Sequence, residues 1–273
     1  MPMLLHTLAC RAGDTFPLAA EIPDGGATVA GIPVHALAEG LLPHLPVGTR
    51  LRPAAAQPAD SAGDGALFAV SGHCRLPASR DEAGRLRPGL LLTALRDTPA
   101  LAADFSASRT GWALAWITLS DKGSKGLRED TAGPLIEEMV STALPLCHAR
   151  GFLLPDDGPR LRALLTDLAL NEGYDLIFTT GGTGLSSRDV TPQATEAVID
   201  RPLPGFVQAM MAASLAKTPR AALSRATAGI AGRCLIINLP GSRKAVRENL
   251  EAVMPALGHA LDKLNDDPAD CGA

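Results

Sequence analysis

A glycine-rich loop carrying one carboxylate is the stretch of this chain best equipped for chemistry. It lies in Tyr174–Pro192, YDLIFTTGGTGLSSRDVTP. The segment opens with an apolar, β-forming run over Tyr174–Phe178 and breaks into Thr179-Thr180-Gly181-Gly182-Thr183-Gly184. Thr191-Pro192 then starts a helix, with the threonine as N-cap and the proline at the first helical position. A strand that feeds a glycine-rich loop and then a helix can hold an anion. Glycine lets the backbone approach a phosphate, and loop N–H groups donate to it. Hydroxyls of Thr179, Thr180, Thr183, Ser186 and Ser187 crowd the loop. Asp189 is its one carboxylate, where a hard cation such as Mg²⁺ can sit beside a polyphosphate. Read alone, the glycine run serves equally well as a tight turn, and Asp189 as a cap for the following helix.

The elements that would position this loop alternate between strand and helix. Trp112–Leu119 reads as a strand that ends in the polar loop Ser120–Gly126. Asp130-Thr131 caps a helix running to about Leu144, with Leu135, Ile136, Met139 and Val140 on one face. Gly151–Leu154 is a second strand, ending at Pro155-Asp156-Asp157, and Pro159–Asn171 an amphipathic helix closed by Gly173. After the glycine loop come helices over Pro192–Asp200 and Phe206–Ala216. Two short β-runs follow, Thr227–Ala231 and Cys234–Leu239, and a last helix from about Ser242 to Lys263. This alternation predicts an α/β domain with a mostly parallel sheet. In such a sheet the loops 120–126, 155–157, 179–189 and 238–242 can all face the crevice at the carboxyl ends of the strands.

The chain before this region is written differently. Pro and Gly recur every few residues, as in Ile22-Pro23-Asp24-Gly25-Gly26 and Pro43-His44-Leu45-Pro46-Val47-Gly48, which suits short strands and turns. Strands are expected over Ala27–Val34, Thr49–Leu51, Leu67–Val70 and Leu90–Ala94, one short helix over His35–Leu42, and a mobile low-complexity loop over Pro53–Gly65. Arg96–Thr110 shows no period and reads as a linker. The expected division is a small β-rich domain at residues 1–108 and an α/β domain at 109–273. The spaced histidines His6, His35, His44 and His73 carry no functional signal.

The chain has 273 residues, a net charge of −4 and 46% hydrophobic residues, enough for a sizeable core. An acidic balance argues against a nucleic-acid partner, though not against phosphate ligands held by local loops. The five cysteines are scattered with no C-x-x-C pair, so neither a disulfide framework nor a zinc site is indicated. The start MPMLLHTLAC is no convincing signal peptide, and no run is long enough to span a membrane. A reduced, cytoplasmic protein is expected.

GGTGLSSRDVTPQAT resembles the signature of the molybdopterin adenylyltransferase family of molybdenum cofactor synthesis. Three further stretches match that family in order: Ile117-Thr118-Leu119-Ser120-Asp121, Leu153-Leu154-Pro155-Asp156-Asp157 and Asn238-Leu239-Pro240-Gly241-Ser242. The resemblance covers about residues 111–265 and implies a three-layer α/β/α molybdopterin-binding domain, commonly a homotrimer. It implies transfer of AMP from MgATP to molybdopterin with release of pyrophosphate, and handover of the product to a molybdenum-insertion protein. On the matched positions, Asp156 and Asp189 correspond to the catalytic, Mg²⁺-holding aspartates. Ser120, Asp121, Thr180, Gly181, Gly182, Thr183, Gly184, Ser186, Asn238, Pro240, Gly241 and Ser242 fall in substrate-binding loops. Ser187 and Gln193 depart from the more usual residues away from the expected chemistry, and Lys122 replaces a more usual Arg or Ser, a departure expected to alter loop contacts. The first 108 residues carry no family resemblance; a docking or substrate-handover role is expected for them. The alternative reading is a molybdopterin carrier or scaffold without turnover.

Overall fold

A computed structural model describes residues 3–20, 28–29, 32–33, 36–38, 42–55, 65–77 and 86–266. The chain divides into two compact units, Met1–Thr110 and Gly111–Ala273.

The first unit is a closed β-barrel. Its strands are β1 (Met3–Thr7), β2 (Thr15–Ala19), β5 (Ala36–Ala38), β6 (Arg50–Pro53), β7 (Phe68–Pro77), β8 (Leu86–Ala94) and β9 (Leu101–Ser108). A small separate hairpin joins β3 (Thr28–Val29) to β4 (Ile32–Pro33). The barrel order is β1-β5-β2-β8-β7-β6-β9, closed by the antiparallel pairing of β9 with β1. Closure pairs each of these seven strands on both sides. The interior is filled by Leu5, Phe16, Leu18, Leu51, Phe68, Val70, Leu92 and Phe105. Phe16 meets Phe68 edge-on at 5.8 Å between ring centroids, a favoured aromatic geometry.

Two expectations are corrected here. The strand β5 stands inside the stretch read as a short helix: Ala36 and Ala38 point into the barrel core with period two, which a helix cannot satisfy. The stretch read as a linker contains β9, which pairs with both β1 and β6. Residues 56–64, most of the expected mobile loop, lie outside the described residues.

The second unit is built on a six-stranded sheet in the order β11-β10-β12-β15-β14-β13. Its strands are β10 (Trp112–Leu119), β11 (Leu146–Leu154), β12 (Leu176–Thr180), β13 (Arg201–Pro202), β14 (Ala228–Ala231) and β15 (Cys234–Leu239). The first four in that order are parallel; β14 and β13 join antiparallel, so the sheet is mixed. Strands β12 and β15 are buried along their whole length, which explains their unbroken apolar character. The helices are α1 (Asp121–Ser124), α2 (Gly133–Ala143), α3 (Gly158–Thr166), α4 (Thr191–Glu196), α5 (Pro204–Leu215) and α6 (Arg243–Leu264). Leu135, Ile136 and Val140 of α2, Met210 of α5 and Val246, Leu250, Val253, Leu257 and Leu261 of α6 share one core with Leu114, Trp116, Phe178 and Ile237 of the sheet. Helix α3 runs into a π-turn over Asp167–Glu172, closed by Gly173 at φ 72°, the left-handed C-terminal residue its sequence announced.

The chain order within this sheet matters for function. From β10 the chain goes to β11 on one side, then returns to β12 on the other side of β10. The sheet therefore has a topological switch point between β10 and β12, where open α/β sheets bind ligands.

Candidate active site

The sheet register brings the four loops to one level. Leu119 of β10 pairs with Leu154 of β11, Thr118 with Thr180 of β12, and Thr180 with Leu239 of β15. The chain therefore leaves the sheet at Ser120, Pro155, Gly181 and Pro240 along a single edge.

At Gly181 the N–H still donates to Leu239 O at 3.2 Å, and the backbone then turns with φ 96°. A Cβ there would lie 2.6 Å from Leu119 O, on the adjacent strand end. Only glycine meets both demands. Gly182 follows at φ 65°. Thr191 fastens the turn: its hydroxyl donates to Gly181 O at 2.8 Å and its N–H donates to Gly182 O at 3.1 Å. This corrects the expected N-cap. Thr191 is the first residue of α4, the N-cap position belongs to Val190, and the buried threonine hydroxyl serves the glycine loop instead. Among the described residues, the N–H groups of Gly182, Thr183 and Gly184 donate to no protein acceptor. Consecutive donors on a positive-φ turn form a concave anion site.

The acidic residues converge beside this loop. Asp189 Oδ2 accepts from the Ser186 N–H at 2.8 Å, and the Asp189 N–H donates back to Ser186 O at 2.9 Å. Asp121 Oδ1 accepts from the Asp156 N–H at 3.1 Å, and Asp121 also forms an ion pair with Arg188. One carboxylate thus touches the loop after β11 and the glycine loop together. Ser120 caps α1, its Oγ accepting from the Gly123 N–H at 3.0 Å. Of the two neighbouring aspartates, Asp157 caps α3, accepting from the Arg160 N–H at 3.0 Å. Asp156 is left with a half-buried carboxylate. Its pKa is pushed above the ordinary value, first by burial and then by the negative charge of Asp189. Of the two aspartates matched to the catalytic pair, Asp156 thus feels the charge of Asp189.

The loop after β15 completes the edge. The Thr180 hydroxyl donates to Pro240 O at 2.8 Å, and a Cβ on Gly241 would lie 3.1 Å from the Gly181 Cα. Ser242 caps α6, its Oγ accepting from the Ala245 N–H at 3.2 Å. A cavity of 380 Å³ opens at the switch point, lined among others by Thr118, Ser120, Asp130, Thr180, Gly241 and Ser242. A second, more apolar cavity of 280 Å³ adjoins Thr183 and Gly184, with Met210, Met211 and Asn249 in its wall.

Asn238 sits differently from the other expected site residues. It is fully buried. Its amide donates to Thr179 Oγ1 and Thr195 Oγ1, both at 2.9 Å, and its Oδ1 accepts from the Thr227 N–H at 3.3 Å. It ties β12, α4 and the start of β14 together behind the loops. Sequence reasoning passes over Arg225, whose guanidinium donates to Gly184 O at 2.7 Å and Asp189 O at 2.6 Å. The contact spans 41 residues and ends on main-chain oxygens. The only trace in the sequence is a lone charge at the entrance to a β-run.

Magnesium fits the donor set. Mg²⁺ commonly takes one or two protein carboxylates and completes its shell with water and substrate phosphate. Among the described residues no cluster of three or more His, Cys, Asp or Glu offers a closed metal cage. Asp156, which feels the Asp189 charge, and Asp189, whose carboxylate lies against Gly184, are two carboxylates beside the anion nest.

Comparison with known proteins places the second unit in a family. A family model described as "Probable molybdopterin binding domain" matches residues 115–259. The molybdopterin adenylyltransferase of Helicobacter pylori is 43% identical over 148 residues, which are 54% of this chain and 84% of that protein. That of Escherichia coli K12 is 40% identical over 146 residues, 53% of this chain and 75% of that protein. Among solved structures, the molybdopterin biosynthesis enzyme MoaB of Thermus thermophilus superposes with a TM-score of 0.53 at 45% identity, covering 58% of this chain and 99% of its own. The tungsten cofactor synthesizing protein MoaB of Pyrococcus furiosus gives 0.52 at 36% identity, covering 57% and 99%. Through its second unit, the chain belongs to the molybdopterin-binding domain family of cofactor biosynthesis.

Proposed function

We propose that this protein transfers AMP from MgATP to molybdopterin, releasing pyrophosphate. The observation that carries the reading is the nest of Gly182, Thr183 and Gly184 N–H groups set beside the carboxylates Asp156 and Asp189. The kinship with adenylyltransferases at about 40% identity supports the same reaction.

An oxygen of the pterin's terminal phosphate attacks the α-phosphorus of ATP. A new phosphoanhydride bond forms, the bond from the α-phosphorus to the bridging oxygen breaks, and its electron pair leaves with pyrophosphate. The nucleophile is already an anion, so no general base is needed. The protein's task is to position two polyanions and offset their charge. Asp156 and Asp189 would hold Mg²⁺, which supplies charge neutralisation for the triphosphate when bound. The glycine-loop N–H groups donate to phosphate oxygens, and charge building there is met by fixed dipoles. Ser120, Asp121, Thr180, Ser186, Pro240, Gly241 and Ser242 shape the rest of the substrate surface. Asn238 acts from behind, holding the strands that carry the loops.

The second unit is best understood as a three-layer α/β/α domain, with α3 and α4 covering the sheet face opposite α2, α5 and α6. A homotrimeric assembly and a cytoplasmic setting belong to the same reading; among the described residues no helix is long and apolar enough to cross a membrane. The barrel would serve docking and handover of the adenylylated product to a molybdenum-insertion protein. A chain truncated to start at Gly111 that exchanges product with that protein as the full chain does would sink the handover role.

The decisive experiment mixes the protein with molybdopterin and MgATP and measures adenylylated pterin and pyrophosphate, with Asp189→Asn alongside. Pterin-dependent product in the wild type, lost in the variant, is the expected result. Tight pterin binding with no product from either protein would reject catalysis in favour of a carrier.

A further inference from the structure

We infer that Arg225 is a positioning residue for the phosphate-binding loop, setting the direction of its N–H groups from the side opposite the ligand. The inference rests on the reading of that loop as an anion site. Arg225 precedes β14, in a segment that Asn238 anchors through the Thr227 N–H. Its own N–H donates to Thr183 O at 2.9 Å, its Nε to Gly184 O at 2.7 Å and one terminal nitrogen to Asp189 O at 2.6 Å. Three carbonyls of the loop are thereby drawn to one residue.

The consequence follows from peptide planarity. In a trans peptide, the C=O and the next residue's N–H point in opposite directions, and among the described residues no peptide bond is cis. Thr191 takes the carbonyls of Gly181 and Gly182, so the N–H groups of Gly182 and Thr183 point the other way. The Arg225 main-chain N–H takes the carbonyl of Thr183 and its guanidinium that of Gly184, so the N–H groups of Gly184 and Leu185 point the other way as well, and it is the guanidinium's share that substitution removes. Of the three nest N–H groups, those of Gly182 and Thr183 are set from Thr191 and that of Gly184 from the Arg225 main chain, while the guanidinium fixes the next peptide, which carries the Leu185 N–H. The bond to Asp189 O extends the same hold to the backbone of the acidic residue.

Two features suit arginine to this task, and lysine shares only the second. The planar fork reaches carbonyls five residues apart in the chain from two fixed nitrogens, where an ammonium would have to reach both from one. Its bonds go to neutral carbonyls, so the guanidinium leaves a full positive charge next to a site for polyanions. Both effects act through the loop; Arg225 need not touch the substrate.

The test uses the full chain with Arg225→Gln and Arg225→Lys. Binding of MgATP and of molybdopterin is measured by calorimetry well below each variant's melting temperature. Amide exchange over 182–190 is followed without ligand. A lost charge-assisted hydrogen bond predicts affinity for at least one of the two ligands falling by about tenfold or more in Arg225→Gln. A smaller loss is expected in Arg225→Lys, with faster exchange at the loop amides in both. Ligand affinities and loop exchange equal to wild type in the variants would overturn the proposal, and so would a lower melting temperature accompanied by unchanged affinity. If Arg225→Gln does not fold, Arg225→Lys decides by the same criteria. A wild type that binds both ligands and makes no adenylylated pterin would defeat the adenylyl-transfer reading alone, leaving the comparison of variants intact. Loop exchange judges Arg225 even if no ligand binds.

Discussion

Asp121 Oδ1 accepts the backbone N–H of Asp156 at 3.1 Å, and the same carboxylate pairs with Arg188 of the glycine loop. A side chain from the first loop thus sets the distance between the two segments that carry Asp156 and Asp189. Exposed ion pairs contribute little to stability, so the importance of this contact lies in alignment. Asp121→Asn keeps an oxygen for the Asp156 N–H and loses only the ion pair; its kcat/KM should fall a few-fold. Asp121→Ala loses both contacts and should fall by roughly tenfold to a hundredfold, the scale of a small misplacement of reacting groups. Steady-state kinetics beside thermal melts check this. A melting temperature near wild type is expected for both variants.

The raised pKa of Asp156 makes a second prediction, about stability. Burial and the Asp189 charge both disfavour its carboxylate in the folded state. A carboxyl with a raised folded pKa stabilises the fold below its unfolded value, and that contribution is lost as pH rises through the folded value. At neutral pH the ionised group is therefore a burden, of the kind active sites carry. Asp156→Asn should melt above wild type at neutral pH in the absence of Mg²⁺. The gap should close as pH falls below the ordinary carboxylate range. Removing the neighbour instead, with Asp189→Asn, should bring the Asp156 titration part of the way down. It should not return to the ordinary value, because burial remains the larger cause. Carboxyl carbon NMR resolves that shift.

Asn238 should report on architecture before it reports on substrate. Replacing it by Ala strands the Thr227 N–H and leaves two buried hydroxyls without their donor. Each unsatisfied buried group costs about 1–3 kcal/mol. A loss of roughly 2–4 kcal/mol in urea denaturation is expected once the surroundings relax. An unchanged denaturation midpoint with a large rise in KM would instead assign Asn238 to direct substrate contact.

Much of this architecture is readable in the sequence, and the misses have physical causes. Three of the strands that carry the site, β10, β12 and β15, are buried almost throughout, so their apolar runs stand out, and glycine, proline and serine mark their ends. The sequence signal of strand β11 starts only at Gly151, although the strand begins at Leu146. It lies at the sheet edge, where Cys147, His148 and Arg150 are tolerated and the apolar signal fades. Strand β9 hides its alternation in small residues: Leu101, Ala103, Phe105 and Ala107 share a parity, but alanine marks a buried face weakly. Arg225 and Asn238 act through side-chain bonds to residues tens of positions away, which local pattern does not encode.

Gly181 gives the sharpest steric test of the loop. Its φ of 96° lies where L residues are rarely found, and a Cβ would press on Leu119 O at 2.6 Å. That oxygen belongs to the end of a fully packed strand and cannot move away cheaply. The left-handed backbone alone costs a non-glycine residue about 1–2 kcal/mol, and the clash adds to it. Gly181→Ala should therefore lose more than about 2 kcal/mol in urea denaturation. It should also lose anion binding, because relief of the clash opens the turn that Thr191 fastens at Gly181 O. Gly205 provides the control, since a Cβ there meets nothing within 4 Å. If Gly181→Ala matches Gly205→Ala in both stability and MgATP affinity, the close approach of the loop to β10 is not what shapes the site.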